Sequence, residues 1–336
     1  MDIANYFYIQ TNCVVVKGYL QSTICDLERN DYEILPNILS DLLSKHNGSK
    51  IELLLKEIEK KDKDIVVEFL EYLLENEYIF VSQNHCGIIN EIDVEYTYHN
   101  EILNTIIDYN PLFFKKSVEE ISKLNSELLQ IRLFKINFFD GLLSDIEILH
   151  NTSFKYVELF FAGHLENDFI LKLSEINKLI NNRIKRIYVQ KSQVEINEHY
   201  TFKVYEKEFT EFLTENDCGN CYSNNFNCDY DTFTISQNYN SCLYKKISID
   251  SNGIVKNCPS FKKGFGNIKD IKGLSTIIKK KEFNKFWSIQ KDNINVCKNC
   301  EFRYICTDCR VYVEDDNDIF SKPLKCNYNP FTGEFK

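Results

Sequence analysis

The sequence predicts an α/β protein in three parts. A winged-helix-like module occupies residues 1–85, a partial (β/α) barrel 86–215, and a loop-rich domain held by cysteine-bound metal 216–336. Three observations predict this. Short β-rich runs give way to amphipathic helical stripes within the first 80 residues, extended and helical runs alternate from about residue 91 to 215, and ten of the 13 cysteines fall between Cys218 and Cys326.

The N-terminal part opens with β-rich runs at residues 6–10, 13–17 and 22–27, broken at Thr11, Asn12 and Gly18, as in a small antiparallel sheet. Ile34, Ile38, Leu42 and Leu43 predict a helix from Asp31 to His46. Ile51, Leu54, Leu55 and Ile58 predict a second, and Ile65, Val66, Phe69, Leu70, Leu73 and Leu74 a third, before residues 78–82 turn extended again. In the middle part extended runs are expected at 93–98, 130–137, 156–161, 184–190 and 201–205. Helical runs are expected at 111–129, 142–151 and 167–182. Such alternation indicates a mostly parallel sheet, open or part of a barrel. After Cys218 the chain is loop-rich, with turn signals at 250–253 and 264–266, so something beyond hydrophobic burial has to hold it.

Composition excludes several classes. The 336 residues are 43% hydrophobic and 14% aromatic, ample for real cores, which rules out a disordered or collagen-like chain. No run of about 18 apolar residues exists, and MDIANYFYIQ lacks a basic region followed by an apolar stretch, so neither a membrane span nor a signal peptide is expected. The expected address is the cytoplasm. Thiols stay reduced there, so many cysteines point to metal or cofactor ligation ahead of disulfides. Residues 1–80 carry 8 Lys+Arg against 15 Asp+Glu, and residues 218–336 carry 18 against 13. An acidic winged-helix-like module would repel phosphates, so nucleic acid is not an expected partner. No P-loop, G-x-G-x-x-G, nucleophile elbow or paired-histidine spacing is present, which leaves ATP binding by this chain without a motif.

The chemistry resides in the cysteines. Cys297, Cys300, Cys306 and Cys309 form a C-x2-C-x5-C-x2-C run, four soft ligands within thirteen residues. Upstream, Cys242 and Cys258 bracket a hairpin-like stretch with Gly253 five positions before Cys258, and Cys326 follows downstream. On composition and spacing alone, two zinc ions and two iron–sulfur clusters suit this set about equally.

The arrangement resembles the SPASM domain, the auxiliary iron–sulfur module of maturases of ribosomally made peptides, whose pattern is C-x9–15-G-x4-C, C-x2-C-x5-C-x3-C and a last C. The match runs through Cys242, Gly253, Cys258, Cys297, Cys300, Cys306, Cys309 and Cys326, with Cys306 and Cys309 one residue closer than the pattern. The resemblance implies two [4Fe–4S] clusters. Cys297, Cys300, Cys306 and Cys326 would bind one, and Cys242, Cys258 and Cys309 the other. A fourth ligand for the second usually comes from just upstream, which implies Cys218, with Cys221 or Cys228 as substitutes. The surplus of basic residues would then be counter-charge for the clusters.

SPASM domains normally trail a barrel whose first strand is followed by C-x3-C-x2-C, the triplet that binds the S-adenosylmethionine cluster. No such triplet occurs in this chain, and residues 138–141 lack the doubled glycine and acid such barrels carry at the second strand. A degenerate barrel that does not cleave S-adenosylmethionine is expected. That combination resembles the SPASM-domain peptide maturases of grasp-with-spasm systems. The carrying residues are NSCLYKKISID (240–250), KNCPSF (256–261), GFGNI (264–268), VCKNCEFRYICTDCR (296–310) and SKPLKCNYNPFTGE (321–334), and the CTDC spacing is characteristic of that family. The resemblance implies an ATP-grasp ligase and a short precursor peptide as partners. Residues 1–82 in turn look like a RiPP recognition element, which holds a precursor leader as an added strand. On this sequence the edge would be residues 22–27, with Thr23, Cys25 and Leu27 facing the peptide, and the groove wall the helix carrying Val66, Phe69 and Leu73. Two other readings remain. One is an enzyme using an open iron on the second cluster to bind a peptide thiolate or carboxylate, and the other is a zinc-stabilised adaptor without redox chemistry.

Overall fold

A computed structural model describes residues 1–87, 99–134, 139–163, 165–190, 200–207, 218, 219, 221 and 223–336. In chain order the N-terminal elements are β1 (Tyr6–Ile9), β2 (Cys13–Lys17), β3 (Gln21–Asp26), β4 (Asp31–Pro36), α1 (Asn37–His46), α2 (Ile51–Lys56), α3 (Lys63–Glu75) and β5 (Ile79–Ser82). Then follow β6 (Asn104–Asp108), α4 (Phe114–Ser122), β7 (Leu128–Leu133), α5 (Phe139–Asp145), β8 (Tyr156–Phe161), α6 (Asn167–Leu179), β9 (Ile184–Gln190) and β10 (Lys203–Lys207). The last third contributes α7 (Tyr230–Asn238), β11 (Lys246–Ile249), β12 (Val255–Lys256) and only short pieces beyond. No described helix is long and apolar enough to cross a membrane.

The chain divides into two compact units that differ from the expected boundaries at 85 and 215. One comprises residues 1–97, 220–241 and 289–336, and the other 98–219 and 242–288. In the first, β2, β3 and β4 form an antiparallel sheet with β3 in the middle, and β1 pairs antiparallel with β5. Asp26 closes the β3–β4 turn. Its carboxylate accepts from the Glu28 and Arg29 amides at 3.0 and 2.9 Å and from the Arg29 guanidinium at 2.6 Å, while Asn30 takes the left-handed conformation that the turn needs. Burial alone would raise the Asp26 pKa; these donors outweigh it and hold the carboxyl below its usual range. α3 buries Leu70 and Leu73 completely, in a core with Phe7, Ile24, Leu43 and Leu54.

Two expectations are corrected here. Asp31–Pro36 is a strand, and the helix begins at Asn37. Ile34 and Ile38, which suggested one helical stripe, are both exposed, so they never formed a core-facing repeat. β3 is no free edge: it is hydrogen-bonded on both sides, and Thr23, Cys25 and Leu27 are buried. Thr23 donates to the Glu301 carbonyl at 3.0 Å, and Cys25 and Leu27 share a cluster with Phe302 and Ile305. The N-terminal sheet is therefore covered by the C-terminal segment within one unit.

The second unit is built on a seven-stranded sheet ordered β10-β9-β8-β7-β6-β11-β12, parallel except for β12. Successive strands β6 to β10 lie side by side, the order of a singly wound, barrel-like sheet. The first strand, β6, lies in a stretch for which no strand was expected. The strand expected at 93–98 lies outside the described residues, as does 135–138, the end of the run expected at 130–137. The helix expected at 111–129 is only Phe114–Ser122, because β7 begins at Leu128.

Alternate residues of β7, β8, β9 and β10 enter one core with Val118, Ile121, Leu142, Ile170 and Leu173 of the helices. The other face carries a cross-strand row in register: Asp108, Arg132, Phe160, Tyr188 and Tyr205. Arg132 and Asp108 are an ion pair at 2.6 Å, and the Phe160, Tyr188 and Tyr205 rings stack with centroids 4.3 and 5.3 Å apart. Gly253 turns the β11–β12 hairpin with φ +77°, and a Cβ there would stand 2.5 Å from the Phe113 ring. That is the physical reason for a glycine at this place in the motif.

Candidate metal centres

Each unit gathers cysteine thiols around a buried lysine. In the first unit Lys291 lies in a short turn capped reciprocally by the Gln290 and Asn293 side chains. Its Nζ is 3.3 Å from Cys306 Sγ and donates to the Thr307 carbonyl at 3.1 Å. Cys221 Sγ donates to the same carbonyl at 3.1 Å, and Cys297 and Cys326 belong to the same electrostatic neighbourhood. Burial alone would lower the pKa of Lys291. Cys306 first, then Cys297, Asp308 and Cys221, carry it well above its ordinary value instead.

The thiols respond in opposite senses. Contact with Cys221, aided by Lys291, lowers the Cys306 thiol against the opposing effect of burial, while the same contact pushes Cys221 up. Burial pushes Cys297 up to about 12 and raises Cys300, whose neighbours Cys306 and Glu301 add to the shift. Glu301 is itself buried and accepts from the Tyr328 hydroxyl. The C-x2-C-x5-C spacing sets this arrangement. Cys297 opens a single helical turn closed by the Cys300 amide on the Cys297 carbonyl at 2.9 Å, and Phe302 and Ile305, packed in the core, bring Cys306 back.

Asp308, inside the CTDC segment, is buried and locked. Its Oδ2 accepts from Asn240 Nδ2 at 2.6 Å, and its Oδ1 is 2.6 Å from Arg310 Nη2, an ion pair by proximity and not an aligned hydrogen bond. Cys309 lies in this unit, buried, its sulfur accepting from the Tyr312 amide at 3.4 Å. Cys228 shares the buried cluster that contains Cys221 and Cys306. It donates to the Asp31 carbonyl at 3.1 Å and shares a hydrogen bond with Cys25.

In the second unit Lys246, the first residue of β11, is buried with Nζ 3.7 Å from Cys242 Sγ. Burial would lower its pKa, yet Cys242, Cys258 and Cys218, in that order, carry it upward. Asn257, next to Cys258, fixes the turn by donating to the Lys246 carbonyl. A cavity of about 170 Å³ opens beside it, lined by Phe261, Phe265, Phe283 and Phe286 with Lys263 and Lys285.

Among the described residues, no three His, Cys, Asp or Glu side chains converge on one ion-sized position. The fit to an anionic metal centre rests on other grounds. The donors are soft thiols, the ligand type of zinc and iron–sulfur sites, and each set faces a buried ammonium, a charge that an anionic thiolate centre would offset. Sequence reasoning missed both lysines, Asp308 and the Asp108–Tyr205 row. The surplus of basic residues after Cys218 was the one available signal for the lysines, and the alternation in LQIRL and VELFF was the signal for the row.

Residues 241–301 match the family model of the SPASM iron–sulfur cluster-binding domain. The match includes Cys242, Gly253, Cys258, Cys297 and Cys300. No curated protein matches the chain. Similar solved structures are those of Streptococcus suis SuiB bound to S-adenosylmethionine, with 13% identity over 91% of this chain and 96% of that one, and SuiB bound to precursor peptide SuiA, with 11% identity over the same shares. Both give a TM-score of 0.33, at which the likeness carries no structural conclusion.

Proposed function

We propose that the chain is a maturation protein for a ribosomally made precursor peptide, carrying two [4Fe–4S] clusters and working beside an ATP-grasp ligase. The observation that carries the reading is the SPASM match over residues 241–301 together with the two thiol sets around Lys291 and Lys246. Cys297, Cys300, Cys306 and Cys326 would hold one cluster, with Cys221 as a fifth thiol beside them. Cys218, Cys242 and Cys258 are the proposed ligands supplied by the second unit, and the role of Cys309 follows from the family resemblance alone. Such clusters supply, when bound, electron-transfer centres and an anionic core around which a loop-rich segment folds. The stretch after β6, residues 109–113, contains no cysteine, which supports a barrel region without a cluster for S-adenosylmethionine.

For the leader peptide we propose a winged-helix-like module whose open edge is β4, the outer strand, in place of residues 22–27. β4 lies beside α3, with Tyr72 Oη donating to Glu33 at 2.6 Å. Ile65, Phe69 and Tyr72 follow one another along one face of α3 at spacings of four and three, and Ile34, Ile65 and Tyr72 are exposed. An added strand would gain backbone bonds from β4 and side-chain contacts from this stripe. Val66 and Phe69 remain as half-buried wall residues; Leu73 belongs to the core. The aromatic and charged row of the sheet would receive the core peptide.

The test is a titration of a labelled leader, taken from the short reading frame beside the gene, with the full chain. Wild type should bind saturably, more weakly at high salt because the module is acidic, and Ile34→Asp and Ile65→Asp should each weaken binding at least about tenfold, roughly 1.4 kcal/mol. Wild-type binding that is absent, or variants that bind like wild type, would refute the edge assignment. A second reading, an enzyme acting through an open iron, is favoured by the three thiols of the second unit and the aromatic cavity beside Asn257. It requires that the peptide alter the spectrum of that cluster.

A further inference from the structure

We propose that Lys291 and Lys246 are charge-compensating residues, one for each thiol set, which hold anionic iron–sulfur clusters in the two units. The inference rests on the cluster reading and goes beyond it, because nothing in the cysteine pattern assigns a role to a lysine.

The argument is one of charge. Both lysines are buried, at 3% and 6% exposure, and a buried ammonium persists only beside negative charge or a full set of acceptors. Lys291 has Thr307 O and Cys306 Sγ as its partners. Asp308 is near, and its one carboxylate is shared between Lys291 and Arg310, which it faces at 2.6 Å, so two cations stand against one fixed anion. Lys246 donates to Cys242 Sγ at 3.7 Å, with the thiols of Cys258 and Cys218 as its further sulfur neighbours. A neutral thiol is a weak acceptor; a metal-bound thiolate is an anion. An iron–sulfur cube with cysteinate ligands is net negative, and one fixed ammonium per site reduces the cost of burying it.

The two lysines are independent in origin. Lys246 opens a strand four residues after Cys242, and Lys291 sits in a capped turn six residues before Cys297. The same device in two unrelated local structures, in separate units, points to the contents of the sites as the common cause. Sulfur–ammonium contacts at 3.3 and 3.7 Å also orient the thiols of Cys306 and Cys242. The lysines are positioning residues: they act through the ligands and touch no substrate.

The test uses the full chain purified without oxygen, as wild type, Lys291→Met, Lys246→Met, and the charge-keeping Lys291→Arg and Lys246→Arg. Readouts are iron and acid-labile sulfide per chain, the rate of iron loss to an excess of a ferrous chelator, and the melting temperature of the apo-protein. Each Met variant should lose the iron of one site about ten- to a hundredfold more readily, taking bound iron from about eight toward about four per chain. The Arg variants should retain most of it. The apo-protein of each Met variant should melt at or above wild type, since an isosteric apolar side chain removes a buried charge.

Met variants with wild-type iron content and loss rate would overturn the proposal while leaving the cluster reading intact. A lowered apo melting temperature that accounts for the iron loss would assign the lysines to packing and overturn it as well. A wild type without iron would end both.

Discussion

Asp308→Ala should be among the most damaging single substitutions outside the cysteines. The carboxylate and Arg310 are each 1% exposed, 2.6 Å apart, and Asn240 holds the other oxygen at 2.6 Å. Deleting it leaves the Arg310 guanidinium without its anion and Lys291 with less compensation in the same dry region. Breaking a buried pair from one side costs about 3–5 kcal/mol. In a domain of about 150–250 residues, each kcal/mol lowers the melting temperature by about 2–4 °C, so a fall of about 6–20 °C is expected. The assay is a circular-dichroism melt of the full chain, with Asp308→Asn, Arg310→Met and the double variant Asp308→Asn/Arg310→Met beside it. The double variant should recover most of the loss, because removing both charges avoids an orphan. Melting of Asp308→Ala within about 2 °C of wild type, or losses that simply add in the double variant, would refute the reasoning.

Other outcomes follow from the same structure. Gly253→Ala puts a Cβ 2.5 Å from the Phe113 ring at φ +77°, and should cost at least about 1–2 kcal/mol in chemical denaturation from the backbone alone. Leu73→Ala opens the N-terminal core and should cost about 2–5 kcal/mol, whereas Ile34→Asp should leave the unfolding midpoint nearly unchanged and affect only peptide binding. Asp26→Asn removes charged acceptors from the β3–β4 turn, at about 1–2 kcal/mol near pH 7. Because the folded carboxyl titrates below its ordinary 3.8, this stabilisation is present above that value and is lost as the pH falls through the lowered one. Urea unfolding at pH 7 and pH 3 should show the gap between wild type and Asp26→Asn shrinking; a gap independent of pH would contradict it.

What the sequence revealed and what it hid have physical reasons. β8 and β9 begin and end as expected, β8 because it alternates a core face with a partly open one, a pattern local to six residues. The cysteine groups were legible because a C-x2-C pair must close on itself whatever surrounds it. β4 was misread because Ile34 and Ile38 stand at helical spacing by coincidence, and only the pairing of Ile34 with Thr23 makes the segment a strand. β3 was misplaced for a related reason. Residues 22–26 are all buried, which sequence can present as a strand but not as one covered on one face by a segment 275 or more positions away. The lysines were hidden most completely: a Lys is ordinarily a surface residue, and nothing in KKISID distinguishes Lys246, buried, from Lys245 before it.

The central claim is that the two thiol sets hold iron–sulfur clusters, and one measurement bears on it most directly: iron, sulfide and zinc per chain, with the visible spectrum, on protein purified without oxygen. About eight irons and a matching amount of sulfide, with broad absorption near about 400 nm, are the expected result. A colourless protein with about two zinc ions per chain would contradict it.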